Sequence, residues 1–238
     1  MSVERAPLYL IAGGPQSIRQ KGPDPLVQAV LERTGVSRPR VAYVGAASGD
    51  NPAFRLLISR VLEKAGAGRV TLAPLCGKRG SLLKATAVLE QADVVFISGG
   101  DVEEGMRVLQ GNGAATVLRR LWRQGKPLFG VSAGSIMLAR CWVRWADPRY
   151  EESAELFPCL GFAPVICDTH GEGDGWGELR ALLTLRPVGA TGYGIVSGAA
   201  LRVDGDGSVS ALGGEVHVFR RRKAGVAQIG SMLPRPRP

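Results

Sequence analysis

Histidine is almost missing from this chain of 238 residues: His170 and His217 are the only two. The four cysteines (Cys76, Cys141, Cys159 and Cys167) form no CxxC pair. Zinc donor sets and a disulfide framework are therefore not indicated, and neither a metal nor an organic cofactor is expected. No apolar run approaches the eighteen or more residues of a membrane span. The opening Met1-Ser-Val-Glu-Arg-Ala-Pro7 lacks the charged-then-apolar pattern of a secretion leader, which points to a soluble, cytoplasmic protein. Aromatics make up 6% of the chain, and only six of the 30 basic residues are lysine. The net charge of +9 thus comes from arginines that are scattered except at Arg220-Arg-Arg-Lys223. They do not interleave with aromatics as a nucleic-acid stacking platform requires, so no nucleic-acid partner is expected. A positive field still serves to gather acidic substrates.

What the chain does have is a repeating rhythm. Apolar, β-branched runs alternate with segments of helical period, over a length that supports one α/β domain. Strands are predicted at Leu8 to Ala12 (closed by Gly13-Gly-Pro15), Arg40 to Gly45, Arg69 to Leu72, Asp93 to Ser98 and Pro127 to Val131. Helices are predicted at Pro25 to Arg33, Asn51 to Ala65, Leu82 to Gln91, Val102 to Gln110, Ala114 to Gln124 and Ala133 to Arg140. In the second helix Phe54, Leu57, Ile58 and Val61 share one face. The pattern implies a three-layer fold, a parallel sheet with helices on both faces. Its ligands belong beyond the carboxyl ends of the strands, where Gly13-Gly14, Ala46 to Ser48, Gly99-Gly-Asp101 and Ser132 fall. Past Arg140 the rhythm changes. Cys141 to Trp145 and Pro164 to Asp168 read as strands joined by a loop and short helix around Glu151 to Leu156, and Gly177 to Leu185 reads as a helix. From Tyr193 the alternation reads as a β-meander turning at Asp204-Gly-Asp-Gly207, with a frayed end over Gly230 to Pro238.

Ser132 stands at the joint between a strand and a helix, inside Gly130-Val-Ser-Ala-Gly134. Such a tight turn strains the central residue and needs flanking glycines, since a Cβ at either place meets the neighbouring element. The strain lifts the hydroxyl to a helix N-terminus, where free N–H groups favour a developing oxyanion. A Gly-x-Ser-x-Gly pentapeptide also arises by chance among 33 glycines; the strand before it and the helix after it are the context the motif requires. A serine nucleophile needs a base. His170, in Cys167-Asp-Thr-His-Gly171 just past a predicted strand, suits that role. His217, inside the alternating Glu215-Val-His-Val-Phe219, reads as a solvent-facing strand residue. The N–H of Ala133 follows from the elbow as one oxyanion donor. The Gly99-Gly100 turn is a candidate second donor, although a plain strand-to-helix turn has the same spacing.

Together these segments resemble peptidase family S51, which includes dipeptidase E and cyanophycinase. Ala92-Asp-Val-Val-Phe-Ile-Ser-Gly-Gly-Asp101 is similar to the family's strand ending in Gly-Gly-Asn or Gly-Gly-Asp. Phe129-Gly-Val-Ser-Ala-Gly-Ser135 resembles its nucleophile segment. Leu156-Phe-Pro with Val165-Ile-Cys-Asp-Thr-His170 resembles the approach to its histidine, and Gly194 to Leu201 with Leu212-Gly-Gly214 its last strands. The resemblance implies a class I glutamine amidotransferase-like, flavodoxin-like fold and a serine peptidase acting on small peptides. It further implies Ser132 as nucleophile, His170 as base, and Gly100 with Ala133 as oxyanion donors. The dipeptidase branch places its triad aspartate fifteen residues after the serine, at Asp147 here; Glu151, Glu152, Glu155 and Asp168 are the other candidates. Gly99, Asp101, Asp168 and Arg180 are candidates for substrate contact, Arg180 either through a substrate carboxylate or as a cap on its own helix. Between His170 and Arg180 the chain is acidic where the cyanophycinase branch is basic, which argues against that polymer and suits a basic or neutral substrate. Two other readings remain open: a non-catalytic protein of the same fold that binds a ligand or partner, and an α/β-hydrolase-type esterase using His217. The sequence is compatible with a monomer or a homodimer.

Overall fold

A computed structural model describes residues 6–14, 22–147 and 149–234. Five parallel strands form its centre: β1 (Leu8–Ile11), β2 (Val41–Val44), β3 (Val70–Leu72), β4 (Val94–Ile97) and β5 (Leu128–Val131). They lie in the order β1-β5-β4-β2-β3, and β10 (Ala200–Val203) and β11 (Val209–Leu212) extend the sheet antiparallel beyond β1. β1, β2 and β4 are buried on both faces, as their nearly continuous apolar sequences require.

Alternation along each strand sorts the core into two layers. Tyr9, Ile11, Tyr43, Phe96 and Phe129 point to one face, where α1 (Pro25–Glu32) and α2 (Pro52–Lys64) pack. The Tyr43, Phe96 and Phe129 rings follow one another at centroid separations of 5.5 and 5.0 Å. Leu8, Leu10, Ala42, Val44, Val95 and Ile97 point to the other. That face is covered by α3 (Leu82–Gln91), α4 (Val102–Gly111), α5 (Ala114–Arg123) and α6 (Ala133–Leu138). Each large side chain so buried contributes about 1.5–3 kcal/mol. Helix starts follow local chemistry. Asp24 and Asn51 accept hydrogen bonds from the first-turn N–H groups of α1 and α2, each followed by a proline at the first helical position.

The predicted βα elements appear within a residue or two of their expected limits, with informative differences. In α2 it is Leu62 that is buried, while Leu57 is 39% exposed; Phe54, Ile58 and Val61 face a cavity rather than solid core. The region expected as loop and short helix holds a single 3-10 turn (Glu151–Ser153) followed by β7 (Ala154–Pro158). β7 pairs antiparallel with β6 (Cys141–Trp145), placing Trp142 opposite Phe157 and Arg144 opposite Glu155. These cross-strand pairs hold the ribbon, in which β7 is the more exposed strand.

The tail does alternate as strands, but two sheets share them. β10 and β11 join the central sheet. β9 (Thr191–Ile195), β12 (Val216–Arg222) and β13 (Gly225–Met232) form a four-stranded sheet with β8 (Cys167–Thr169). β13 runs through Met232, which lies opposite Val216, so residues 230–232 are paired strand and not a frayed end. Pro15 and the last four residues lie outside the described residues.

Candidate active site

β5 lies between β1 and β4, so its carboxyl end meets the turns after both neighbours. Ser132 follows β5 directly. Its N–H donates to the Ile11 carbonyl of β1 at 2.9 Å, and its own carbonyl accepts from Ser135 N at 2.8 Å, which starts α6 at once. The backbone responds with φ 54° and ψ −125°, a conformation costing an L-residue on the order of 1–3 kcal/mol. The glycines beside it allow the packing. A Cβ on Gly130 would lie 2.5 Å from Gly134 C, and one on Gly134 would overlap the Ile97 carbonyl. The turn has the strand-to-helix geometry of a nucleophile elbow, built as its sequence requires.

His170 reaches Ser132 from the second sheet. It follows β8, its N–H donates to Ile195 O at 2.9 Å, and it too has positive φ, 44°. The result is a Ser132 Oγ to His170 Nε2 separation of 2.8 Å. Strained backbone on both sides of one hydrogen bond is the pattern found where geometry serves chemistry. Gly100 closes the site from the end of β4. The flanking Ser98 and Asp101 N–H groups are committed to the Val44 and Ala47 carbonyls. Between them Gly100 has φ 142°, and any Cβ there would overlap Ala47 O. Ala133, first residue of α6, has an N–H that the helix itself leaves without a partner.

The structure does not bring Asp147 to His170. Its carboxylate is taken by Arg149, with Nε to Oδ1 at 2.9 Å and Nη2 to Oδ2 at 2.6 Å, which holds the acid below its ordinary pKa. The fifteen-residue spacing lands on the exposed β6–β7 connection, whose own ion pair satisfies it. Glu155 is engaged by Arg144, and Glu151 and Glu152 sit exposed in the 3-10 turn beside it. Asp168 lies close to the dyad, buried and accepting from its neighbour's N–H (Thr169 N to Oδ1, 2.7 Å). Burial above all, then the charge of Glu178, pushes its carboxyl up to about 7. Asp101 caps α4 through a 2.7 Å bond from Glu104 N. Arg180 is not among the described residues lining either cavity beside Ser132: it donates to Gly175 O and Val226 O and lies over the Phe219 ring. His217 packs edge-on against Trp176 and borders Glu215, so an esterase reading based on it loses its base.

One acid was not singled out by sequence. Glu172, two residues past His170, accepts from Ser197 N at 3.0 Å. Burial pushes its carboxyl up, but the bonds from Ser197 and the backbone, with the positive charge of His170, outweigh that and leave it lowered. The spacing His170-Gly-Glu172 was the available signal; it was hidden in a run that reads only as loop. No thiol competes with Ser132, because burial first of all pushes Cys76 and Cys159 up to about 12. Among the described residues no group of His, Cys, Asp and Glu is arranged to hold a metal.

Two cavities flank the dyad. One, of about 450 Å³, runs from Ser132 and His170 down between α1 and α2. The other, of about 290 Å³, lies on the side of α6 and is bordered by Asp101, Asp168, Asp174 and Glu178.

Comparison with known proteins places these features in context. The sequence model of peptidase family S51 matches residues 8–210. A Peptidase E from Streptomyces coelicolor is 33% identical over 150 residues, covering 58% of this chain and 60% of that protein. A pyridoxal 5'-phosphate synthase subunit PdxT from Anoxybacillus flavithermus is 34% identical over 74 residues, 31% of this chain and 38% of that one. The chain spans between 38% and 65% of the length of the curated relatives it matches. The crystal structure of a peptidase from an acI-B1 Actinobacterium superposes with a TM-score of 0.70 at 14% identity, over 98% of both chains. At that identity the likeness is one of fold, the mostly parallel α/β fold described above.

Proposed function

The chain belongs to peptidase family S51, and from that premise we propose that it hydrolyses small peptides through an acyl-enzyme on Ser132. The observation that carries the reading is the 2.8 Å contact between Ser132 Oγ and His170 Nε2 at a strained elbow. In this mechanism Oγ bonds to the scissile carbonyl carbon while its proton moves to Nε2. The carbonyl oxygen becomes an oxyanion, and the Ala133 and Gly100 N–H groups are the donors in reach of the turn ends. The C–N bond then breaks, and His170 returns its proton to the departing amine nitrogen. A water next gives a proton to Nε2 and its oxygen to the acyl carbon. Oγ leaves and recovers that proton.

The imidazolium formed in each half needs a negative neighbour, and we assign this role to Glu172. It lies two residues past His170 and accepts from the N–H of Ser197, which lines the same cavity as Ser132 and His170. Asp147 is spent on Arg149 and has no part in it.

Intact-mass labelling with a fluorophosphonate tests the proposal. Wild type is expected to gain one adduct, absent in Ser132→Ala and in His170→Ala. Folded wild type that takes no adduct would turn the reading toward a ligand- or partner-binding member of the same fold.

A further inference from the structure

The cavity of about 450 Å³ beside Ser132 has a composition that the peptidase reading alone does not explain. Its walls are Ile11 and Phe96 from the sheet, Val27 from α1, and Phe54, Ile58 and Val61 from α2. Along it the apolar stripe of α2 stays partly open: Leu62 is buried in the core and Ile58 packs at its edge, but Phe54 and Ile58 are only half-buried, although side chains of that type on a covering helix normally seal against the sheet. Apart from His170, the only ionisable residue among the described residues of its wall is Asp24. That carboxylate is buried and committed to the Leu26 and Val27 N–H groups at 2.9 and 3.1 Å. The volume falls within the roughly 300–1,000 Å³ of small-molecule sites, which are mostly apolar with a few placed polar groups at one end. Here that polar end is the dyad.

Charge points the same way. Among the described residues, neither cavity flanking Ser132 is lined by a lysine or arginine, and the second is bordered by four carboxyl groups. Arg180, in the helix that follows His170, is held by two backbone carbonyls. A substrate carboxylate side chain entering either cavity would lose its water without gaining a lysine or arginine partner among the described residues, and a buried unpaired charge is strongly disfavoured.

We propose that the cavity between α1 and α2 is the specificity pocket, and that it takes a bulky apolar side chain adjoining the scissile bond, leucine- or phenylalanine-like, in preference to an acidic one. This rests on the reading of Ser132 as the nucleophile, and it extends that reading to the class of substrate.

The test pairs catalysis with binding. Dipeptides in which either residue is Phe, Leu or Asp, the other being Ala, are compared by kcat/KM on wild type. The same peptides are titrated calorimetrically into Ser132→Ala. The Phe or Leu peptides are expected to lead the Asp peptides by at least about tenfold in both measurements, the scale on which apolar pockets discriminate. Ile58→Arg, which puts a cation into the half-buried wall, is expected to lower the Phe-to-Asp ratio by about tenfold or more. Fluorophosphonate labelling with equal or better handling of Asp peptides would overturn the pocket assignment and leave the peptidase reading intact. Preferential binding of Phe or Leu peptides without labelling or hydrolysis would uphold the pocket and overturn the peptidase reading. Equal binding of all peptides to Ser132→Ala would overturn the assignment even if Ile58→Arg failed to fold.

Discussion

Asp168 offers a quantitative test of the site's electrostatics. Its side chain is buried beside the dyad, with residue exposure of 7%, and burial followed by Glu178 raises its pKa from 3.8 to about 7. The folded protein then holds this proton more tightly than the unfolded chain does. Between those two values folding takes up a proton, so this group's contribution to stability is fully present below pH 3.8. It is lost progressively as the pH rises and is gone above about 7. Three pH units at 1.36 kcal/mol each amount to about 4 kcal/mol. Asp168→Asn keeps an acceptor oxygen for the Thr169 N–H but cannot ionise. Urea unfolding at pH 5 and at pH 8 should show the wild type losing stability relative to the variant, by about 3 kcal/mol across that interval. Parallel changes in the two proteins would refute the reasoning. They would mean that water or a bound cation already serves Asp168 in solution.

Further outcomes follow from the same geometry. His170→Ala should lower kcat for dipeptide hydrolysis by about 10²–10⁴-fold. Glu172→Gln should lower it by about tenfold or more with unchanged unfolding midpoint, whereas Asp147→Asn stays within about threefold; the reverse ranking would return the third position to Asp147. Gly100→Ala should cost about 3 kcal/mol or more in urea unfolding, because positive φ and the Ala47 carbonyl both oppose a Cβ. Arg180→Ala should lower stability by about 1–3 kcal/mol through its two carbonyl partners, with KM for peptides unaffected; a raised KM would restore a substrate role.

The elbow and the parallel sheet were legible because local rules govern both. The strand at Val94–Ile97 had to be central, being apolar at every position, and Ser132 had to turn sharply between two glycines. β7 was missed because its stability lies across the ribbon, in Trp142 with Phe157 and Arg144 with Glu155, and none of it within the strand. The tail showed strands without showing which sheet each would join. Alternation tells which face of a strand is buried, and says nothing of the partner that buries it.

The site divides in the same way. Sequence by itself located Ser132 in its elbow, the Gly99-Gly100 turn at a strand end and His170 rather than His217 as the histidine beside Ser132, since each depends on a few neighbouring residues and on the end of a strand. Tertiary structure alone decided where the candidate acids lie. A fifteen-residue spacing carried Asp147 to Arg149, while Glu172, two residues past His170, is held by a bond from Ser197, 25 residues away. It also decided the character of the cavity beside Ser132. The apolar stripe of α2 reads like any core-facing helix, and only its spacing from the sheet reveals a cavity, because that distance is set by packing between elements and is written in no single one of them.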